Sequence, residues 1–150
     1  MNVLHTDSSH KDFISLVKEL DADLYGRYGD IMVHYDQFNG IERIRHAVVL
    51  YVDGVPAACG AFKEYDAGSA EIKRVFVRHL YRKRGLARAL MEALELWAAE
   101  EGYGRAILET GSRQPEAIGL YKKSGYRVIP NYPPYADDSN SVCMEKELNQ

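Results

Sequence analysis

Cysteine is scarce in this chain. Cys59 and Cys143 are the only two among 150 residues, each in an apolar stretch and far apart in sequence. They form neither a CxxC pair nor a disulfide framework, which points to two reduced, buried thiols. Histidine offers no ligand spacing either. His5, His10, His34, His46 and His79 are scattered, so no metal site is expected. No apolar run reaches the length of a membrane span, and the opening MNVLHTDSSHKDF lacks the charged-then-apolar layout of a signal peptide. A cytoplasmic protein with no membrane partner is the resulting expectation. Positive charge is not in surplus: the net charge is -3 and the pI about 5.9, which argues against a general nucleic-acid binder. The commonest phosphate-binding signatures are missing. There is no GxxxxGK(S/T), which excludes a P-loop, and no GxGxxG with an acidic residue at dinucleotide spacing. Repeats, low-complexity tracts and linkers are absent too. The chain therefore reads as one domain over residues 1–150, long enough to bury a core.

Periodicity then supplies the elements. Ser9 and Asp12 have the spacing of a capping box, and Phe13, Leu16, Val17, Leu20 and Leu24 recur at helical spacing behind them. Asp23 to Ile44 has weaker periodicity and reads as a short helix plus loop, placed to act as a lid on the substrate side. His46–Val52 and Val55–Lys63 are β-branched and apolar, and Asp53-Gly54 between them is a strong hairpin turn. A turn at Asp66-Ala67-Gly68 leads to a third strand, Ser69–Val77. A helix is expected from Gly85 to Glu101, with Leu86, Leu90, Ala93, Leu94 and Trp97 on one face and Arg88, Glu92 and Glu95 elsewhere. Arg105–Thr110 reads as a buried strand, Pro115–Ser124 as a short helix closed by Gly125, and Tyr126–Ile129 and Ser141–Glu147 as the last strands. Strand, helix and strand in succession make Glu71–Val77 and Ala106–Thr110 parallel neighbours. The fold class is α/β (α+β): a mixed, mostly antiparallel sheet flanked by helices, with one parallel pair in its middle.

The segment Arg82-Lys83-Arg84-Gly85-Leu86-Ala87 falls between a strand and the long helix. A helix start presents unpaired N–H groups and the positive end of a dipole, which suits an anionic phosphate. Gly85 and Ala87 are small enough to let a diphosphate approach the main chain, and three cationic side chains stand at the same spot. A solvated basic loop is the competing reading of the triplet.

Three motifs in the same order as in a known family narrow the choice. Arg82-x-x-Gly85-x-Ala87 resembles the (Q/R)-x-x-G-x-(G/A) acyl-CoA motif of the GNAT superfamily of N-acetyltransferases. Ala70-Glu71-Ile72-Lys73-Arg74-Val75-Phe76-Val77 resembles that family's fourth strand. Ala117-x-x-Leu120-Tyr121-x-x-x-Gly125-Tyr126 resembles its A-x-x-L-Y-x-x-x-G-(F/Y) signature. The likeness is good from Ser69 to Leu148 and extends to the N-terminal part only in element order. Leu108-Glu109-Thr110-Gly111 followed by Gln114-Pro115-Glu116-Ala117 looks like an uncharacterised bacterial-type subgroup.

The resemblance implies an activity: transfer of an acetyl group from acetyl-CoA, as co-substrate, to a primary amine of a small molecule. It also implies a site. Main-chain groups of Val75, Phe76 and Val77 would pair with the pantetheine arm, and the amides of Arg82, Lys83, Arg84, Gly85, Leu86 and Ala87 would hold the diphosphate. Gln114 stands where the signature usually has Asn, with the same amide on a longer arm. Glu71 occupies the place of the family's fourth-strand glutamate, often a general base directly or through water. On a regular strand it would align with Lys73 and Val75, and a simple ion pair with Lys73 or Arg74 is the alternative. Tyr121 matches the tyrosine that protonates the departing thiolate; a hydrogen-bonded core tyrosine is the alternative. Cys143, between Val142 and Met144, reads as an inert thiol rather than a nucleophile, which favours direct attack in a ternary complex.

Eleven tyrosines include a late cluster at Tyr121, Tyr126, Tyr132 and Tyr135. Packing plus surface accounts for most such residues. Tyr132 and Tyr135, with Asp137 and Asp138, could attract a cationic amine, whereas Arg74 and Arg113 could hold a carboxylate. A module that binds acyl-CoA without turnover is the other function class, but it would need neither Glu71 nor Tyr121. Pairing into a homodimer through sheet edges or C-terminal strands is common in the family.

Overall fold

Asp53 and Gly54 both take positive φ, 51° and 79°. That is the two-residue turn geometry whose twist matches antiparallel strands. It joins β2 (His46–Val52) to β3 (Val55–Asp66). A second tight turn, in which the Asp66 carboxylate accepts the Gly68 N–H at 3.0 Å, joins β3 to β4 (Ser69–Val77). The expected meander is therefore present, with β3 running three residues beyond Lys63. The computed structural model describes residues 1–28 and 43–148. The lid expected over Asp23–Ile44 lies largely outside them.

Among the described residues seven strands form one sheet in the order β1-β2-β3-β4-β5-β7-β6, where β1 is Asn2–Thr6, β5 is Arg105–Gly111, β6 is Arg127–Ile129 and β7 is Ser141–Glu147. Every pairing is antiparallel except β4 with β5. The mixed sheet with one central parallel junction is as expected. Among the described residues three helices cover it: α1 (Lys11–Tyr28) on one face, α2 (Leu86–Glu100) and α3 (Pro115–Lys123) on the other.

Strand alternation sorts the two cores. Phe13, Leu16 and Leu20 of α1 pack on Ala47, Val49, Cys59, Ala61 and Phe76. On the opposite face Leu86, Leu90, Met91, Leu94 and Ala98 of α2 cover Val48, Leu50, Ala58, Phe62, Ile72 and Leu108. Gly60 faces α2, and a Cβ placed there would stand 2.7 Å from the Leu94 Cδ1. A side chain at this point would force Leu94 or the helix itself to shift.

Several expectations need correction. Asn2–Thr6, which carries too little alternation to stand out, is an edge strand held by its pairing with β2. The Ser9–Asp12 capping box does not form. Ser9 bonds Asp7, and the His10 Nδ1 accepts the Asp12 N–H at 3.1 Å while its carbonyl starts the helix at Ile14. The first helix continues to Tyr28, past the point where its periodicity fades. Glu95, expected off the apolar face of α2, is nonetheless buried, accepting the Tyr126 hydroxyl and the Lys146 ammonium, both at 2.8 Å. Both partners come from distant parts of the chain, so α2 periodicity alone could not show it.

The largest departure is at Arg74. Its φ is 62°, in the left-handed region that a side chain disfavours. Lys73 pairs with Ala61 and Phe76 with Cys59, so three steps along β4 oppose two along β3. This is a β-bulge. It turns Val75 away from the face of Glu71 and Lys73, toward the α2 side, and gives Phe76 to the α1 core. The expected alignment of Glu71, Lys73 and Val75 is thus broken after Lys73.

Gly60→Val should overpack the β3–α2 contact and destabilise the protein by about 1–3 kcal/mol. Thermal unfolding checks this; an unchanged Tm would show that α2 does not depend on that close approach.

Candidate functional site

Pairing between β4 and β5 stops early. The ladder runs from Ser69 opposite Arg105 to Ile72 opposite Leu108, after which both strands continue without each other. The bulge at Arg74 bends β4 at that point, and the strands splay. A pocket of about 750 Å³, open solvent at its mouth included, fills the gap. Its walls include Glu71, Lys73 and Val75 of β4, Glu109 and Thr110 of β5, and Tyr121 of α3. Leu20 and Leu24 of α1, with Gln114, Arg74 and Tyr135, line the rest.

Alternation assigns each side chain to a face. Ala70, Ile72, Ala106 and Leu108 belong to the α2 core. Glu71, Lys73 and Glu109 therefore project to the α1 side. Glu71 is buried, and its Oε2 accepts the Tyr132 hydroxyl at 2.8 Å. Tyr132 packs edge-on against both Tyr65 and Tyr135, with ring centroids 4.9 and 5.7 Å away. The loop carrying these tyrosines is fastened by the Asn131 side chain, which donates to the carbonyls of Tyr135, Asp138 and Ser141. Burial, then the charge and hydrogen bond of Glu71, push the Tyr132 phenol far up. Tyr132 thus holds one oxygen of Glu71, and Tyr135 is a buried wall of the pocket.

Tyr121 comes from the other face. It is buried in the α2 core, edge-on to Tyr126 at 5.9 Å, and its α3 position brings it to the pocket wall. Burial raises its pKa well above the usual phenol value, and the charge of Glu109 adds to the effect. Arg74, expected to hold a ligand carboxylate, donates instead to Asp21 of α1 at 3.2 Å. Arg78 reaches Glu19 of the same helix at 3.1 Å. These pairs tie α1 across the bulge; being partly exposed, each is worth about 0–1 kcal/mol.

Glu109 is the pocket carboxylate that sequence pattern does not single out. It lies one position beyond Leu108, the last residue of β5 paired with β4, and so stands at the fork of the splay. The Ser141 hydroxyl donates to its Oε2 at 2.7 Å. Its carboxyl is pushed up to about 7, chiefly by burial, with the charges of Asp138 and Glu71 adding and the Ser141 bond and Lys73 opposing. The one signal in the sequence is its place inside the Leu108–Gly111 segment; only the fold shows what surrounds it.

The basic turn lies at the other end of β4. A 3-10 turn, His79–Tyr81, precedes Arg82, and Lys83 and Gly85 both take positive φ, 63° and 81°. Gly85 is the N-cap of α2, with no capping side chain, and its carbonyl receives the Ala89 N–H at 3.1 Å. The first-turn amides of α2 thus face outward at the end of β4, and a Cβ at Gly85 would meet no atom within 4 Å. This open, cationic helix start fits a diphosphate. The three basic side chains do not act alike. Arg82 turns inward, donating to the Val77 carbonyl at 2.8 Å and lying over the Phe76 ring. Lys83 is exposed, and exposed Arg84 lies over Tyr81. Leu86 faces the core, so only its main chain can serve a ligand, and Ala87 is half-buried beside it. Among the described residues no three His, Cys, Asp or Glu side chains gather as metal ligands. No helix among them is long and apolar enough to cross a membrane.

Comparison with known proteins bears on the same features. Residues 13–126 match the profile of the Acetyltransferase (GNAT) family. The IAA acetyltransferase of Azospirillum brasilense is 33% identical over 138 residues, covering 90% of each chain. A Klebsiella pneumoniae protein described as an acyl-CoA N-acyltransferase superposes with a TM-score of 0.83 at 28% identity, over 99% of this chain and 97% of that one. A GNAT family acetyltransferase from Elizabethkingia anophelis, solved with acetyl-CoA bound, has the same fold, with a TM-score of 0.70 at 14% identity over 98% and 97% of the two chains.

Cys143 is fully buried, and burial, Glu109 and Glu71 hold its thiol up at about 11. The thiolate form is therefore scarce at neutral pH. In the folded protein its alkylation by iodoacetamide should be negligible at pH 7 and climb only as pH approaches 11. Rapid labelling at pH 7 would reopen covalent chemistry at this residue.

Proposed function

This chain belongs to the acetyltransferase (GNAT) family, and from that premise we propose that it moves the acetyl group of acetyl-CoA onto a primary amine of a small molecule. It acts as one domain spanning residues 1–150, by direct attack within a ternary complex. The observation that carries this reading is the splayed β4–β5 pair with an open helix start at the far end of β4. A ligand with a diphosphate at one end and a thioester at the other would engage both features.

Acetyl-CoA supplies the activated acetyl thioester when bound. The chain supplies the rest. The amides of Arg82 to Ala87, helped by exposed Lys83 and Arg84, hold the diphosphate; Gln114, at the N-cap of α3 and on the pocket wall, offers its amide nearby. Val75 and Phe76 present main-chain groups along the unpaired edge of β4, while the Val77 carbonyl is already taken by Arg82. Glu71 meets the acceptor: its negative charge draws an ammonium into the notch and takes part in removing its proton, directly or through water. Tyr121 faces the notch from the opposite wall and protonates the departing sulfur. General acid–base help of this kind is worth about 10²–10⁴-fold.

A cationic acceptor suits this site better than an anionic one. Glu71, Glu109, Tyr121 and Tyr135 line the pocket with Lys73, whose charge acts on Glu109, whereas Arg74 is engaged by Asp21. An acceptor carboxylate would have to compete with that pair. The protein works in the cytoplasm in this reading, needs no metal, and has neither nucleic acid nor membrane as partner.

A panel of amines, amino acids and polyamines, each with acetyl-CoA and read by free-thiol release, tests the activity. Release that depends on both substrates is expected, and its absence across the panel would overturn the reading. Gly85→Glu should weaken acetyl-CoA binding about tenfold or more, because left-handed strain and a misplaced negative charge act together. An unchanged Kd by calorimetry would take the diphosphate away from this turn.

A further inference from the structure

We propose that Glu109 is a second catalytic carboxylate of this site, the group that receives the acceptor's proton while Glu71 holds the ammonium in place. The proposal rests on the acetyl-transfer reading and narrows the role given to Glu71 there: Glu71 binds the ammonium, and removal of the proton passes to Glu109.

Geometry separates the two. Glu71 lies inside the paired part of the β4–β5 ladder, opposite Ile107, with one oxygen already bonded to Tyr132. It is buried and set back inside the ladder, a place suited to holding the ammonium. Glu109 lies one residue past the end of that ladder, on the same face, where the strands part and the pocket opens. Its charge acts on Tyr121, and the charge of Glu71 acts on it. Ser141 fixes the Oε2 by a 2.7 Å bond, so the carboxylate is held rather than swinging free.

The groups facing Glu109 come from every side of the fork. Glu71 and Lys73 project from β4, Cys143 and Ser141 from β7, Asp138 from the preceding loop and Tyr121 from α3. Burial and the acidic neighbours oppose ionisation, while Lys73 and Ser141 favour it. The outcome, a carboxyl titrating at about 7, is the poise a general base needs at neutral pH.

The step balances. Glu109 takes one proton from the ammonium held at Glu71. The freed nitrogen lone pair forms the bond to the thioester carbon, and the carbon–sulfur bond breaks with its electron pair on sulfur. The nitrogen loses its surplus proton as the amide forms, and sulfur gains one from Tyr121. Glu109 also prepares Tyr121, because once protonated it no longer adds a negative charge that holds the phenol proton. Tyr121 is then restored by the proton lost from nitrogen, and Glu109 returns its own to solvent.

The test is a pH profile of kcat/KM on the full chain with acetyl-CoA and an amine found active in the panel. The wild-type profile should rise through an apparent pKa near 7, because the ionised base is the active form. Glu109→Gln should remove that limb and lower kcat by about 10²–10⁴-fold, with the acetyl-CoA Kd by calorimetry within about threefold. Ser141→Ala keeps the carboxylate but deletes a bond to its charged form, so the limb should move to higher pH. Glu71→Gln should act mainly on the KM for the amine. If Glu109→Gln keeps the limb and its rate within a few fold, or if Ser141→Ala leaves the limb in place, the proposal is wrong. Should Glu109→Gln not fold, the Ser141→Ala profile decides alone. A wild-type protein that binds no acetyl-CoA would instead overturn the activity itself.

Discussion

The end of the β4–β5 ladder at Ile72 and Leu108 is the constraint on which the rest of the site depends. Two parallel strands that stayed paired would leave no room for a ligand. Arg74 prevents this by taking a φ of 62°, which inserts an extra residue into β4 and bends it. A side chain in that conformation carries a cost of roughly 1–2 kcal/mol, borne by packing around it. The surroundings supply that support. The Cys59 thiol donates to the Arg74 carbonyl at 3.4 Å, the guanidinium reaches Asp21, and Phe76 anchors the strand in the α1 core.

The same bulge explains why a helix can start where it does. Bent β4 carries the chain away from β5, and the 3-10 turn at His79–Tyr81 brings it back over the sheet on the α2 side. Gly60, opposite the bulge on β3, leaves space for Leu90 and Leu94, so α2 lies close against the strands. The Tyr126–Glu95–Lys146 cluster then locks α2 to the end of α3 and to β7. Helix start, phenol and fork are thus held in one frame by packing and a buried polar network, not by any single bond.

Local signals make much of this legible in the sequence. Asp53-Gly54, Gly85 and Gly125 each need backbone freedom that composition advertises, and all three take positive φ. Helix periodicity is plain in α2 because its apolar stripe packs on one face of the sheet. Three features stay hidden, each for a reason of tertiary origin. Arg74 is an ordinary arginine until the β3 register forces the bulge. The Asn2–Thr6 strand exists only because β2 offers it an edge. Glu109 looks like any strand glutamate, and its distinctive environment comes from β4, β7, α3 and a loop at once. Motif positions are readable, but the carboxylate pair is not.

That pair also shows how stability and chemistry pull apart in this fold. A carboxyl whose pKa stands at about 7 in the folded state and near 4.5 when unfolded stabilises the protein only while protonated. The folded state binds more protons, so stability falls as pH rises from about 4.5 through 7, by on the order of 3 kcal/mol in total. Packing alone would favour a neutral residue at this position. Ser141 and Lys73 recover part of the cost without neutralising the group, because each favours its charged form. A fork that was dry and apolar would be more stable and could not take a proton. The acidic neighbours that destabilise Glu109 are the same charges that make the notch attractive to an ammonium, so one arrangement of carboxylates accounts for both the cost and the use.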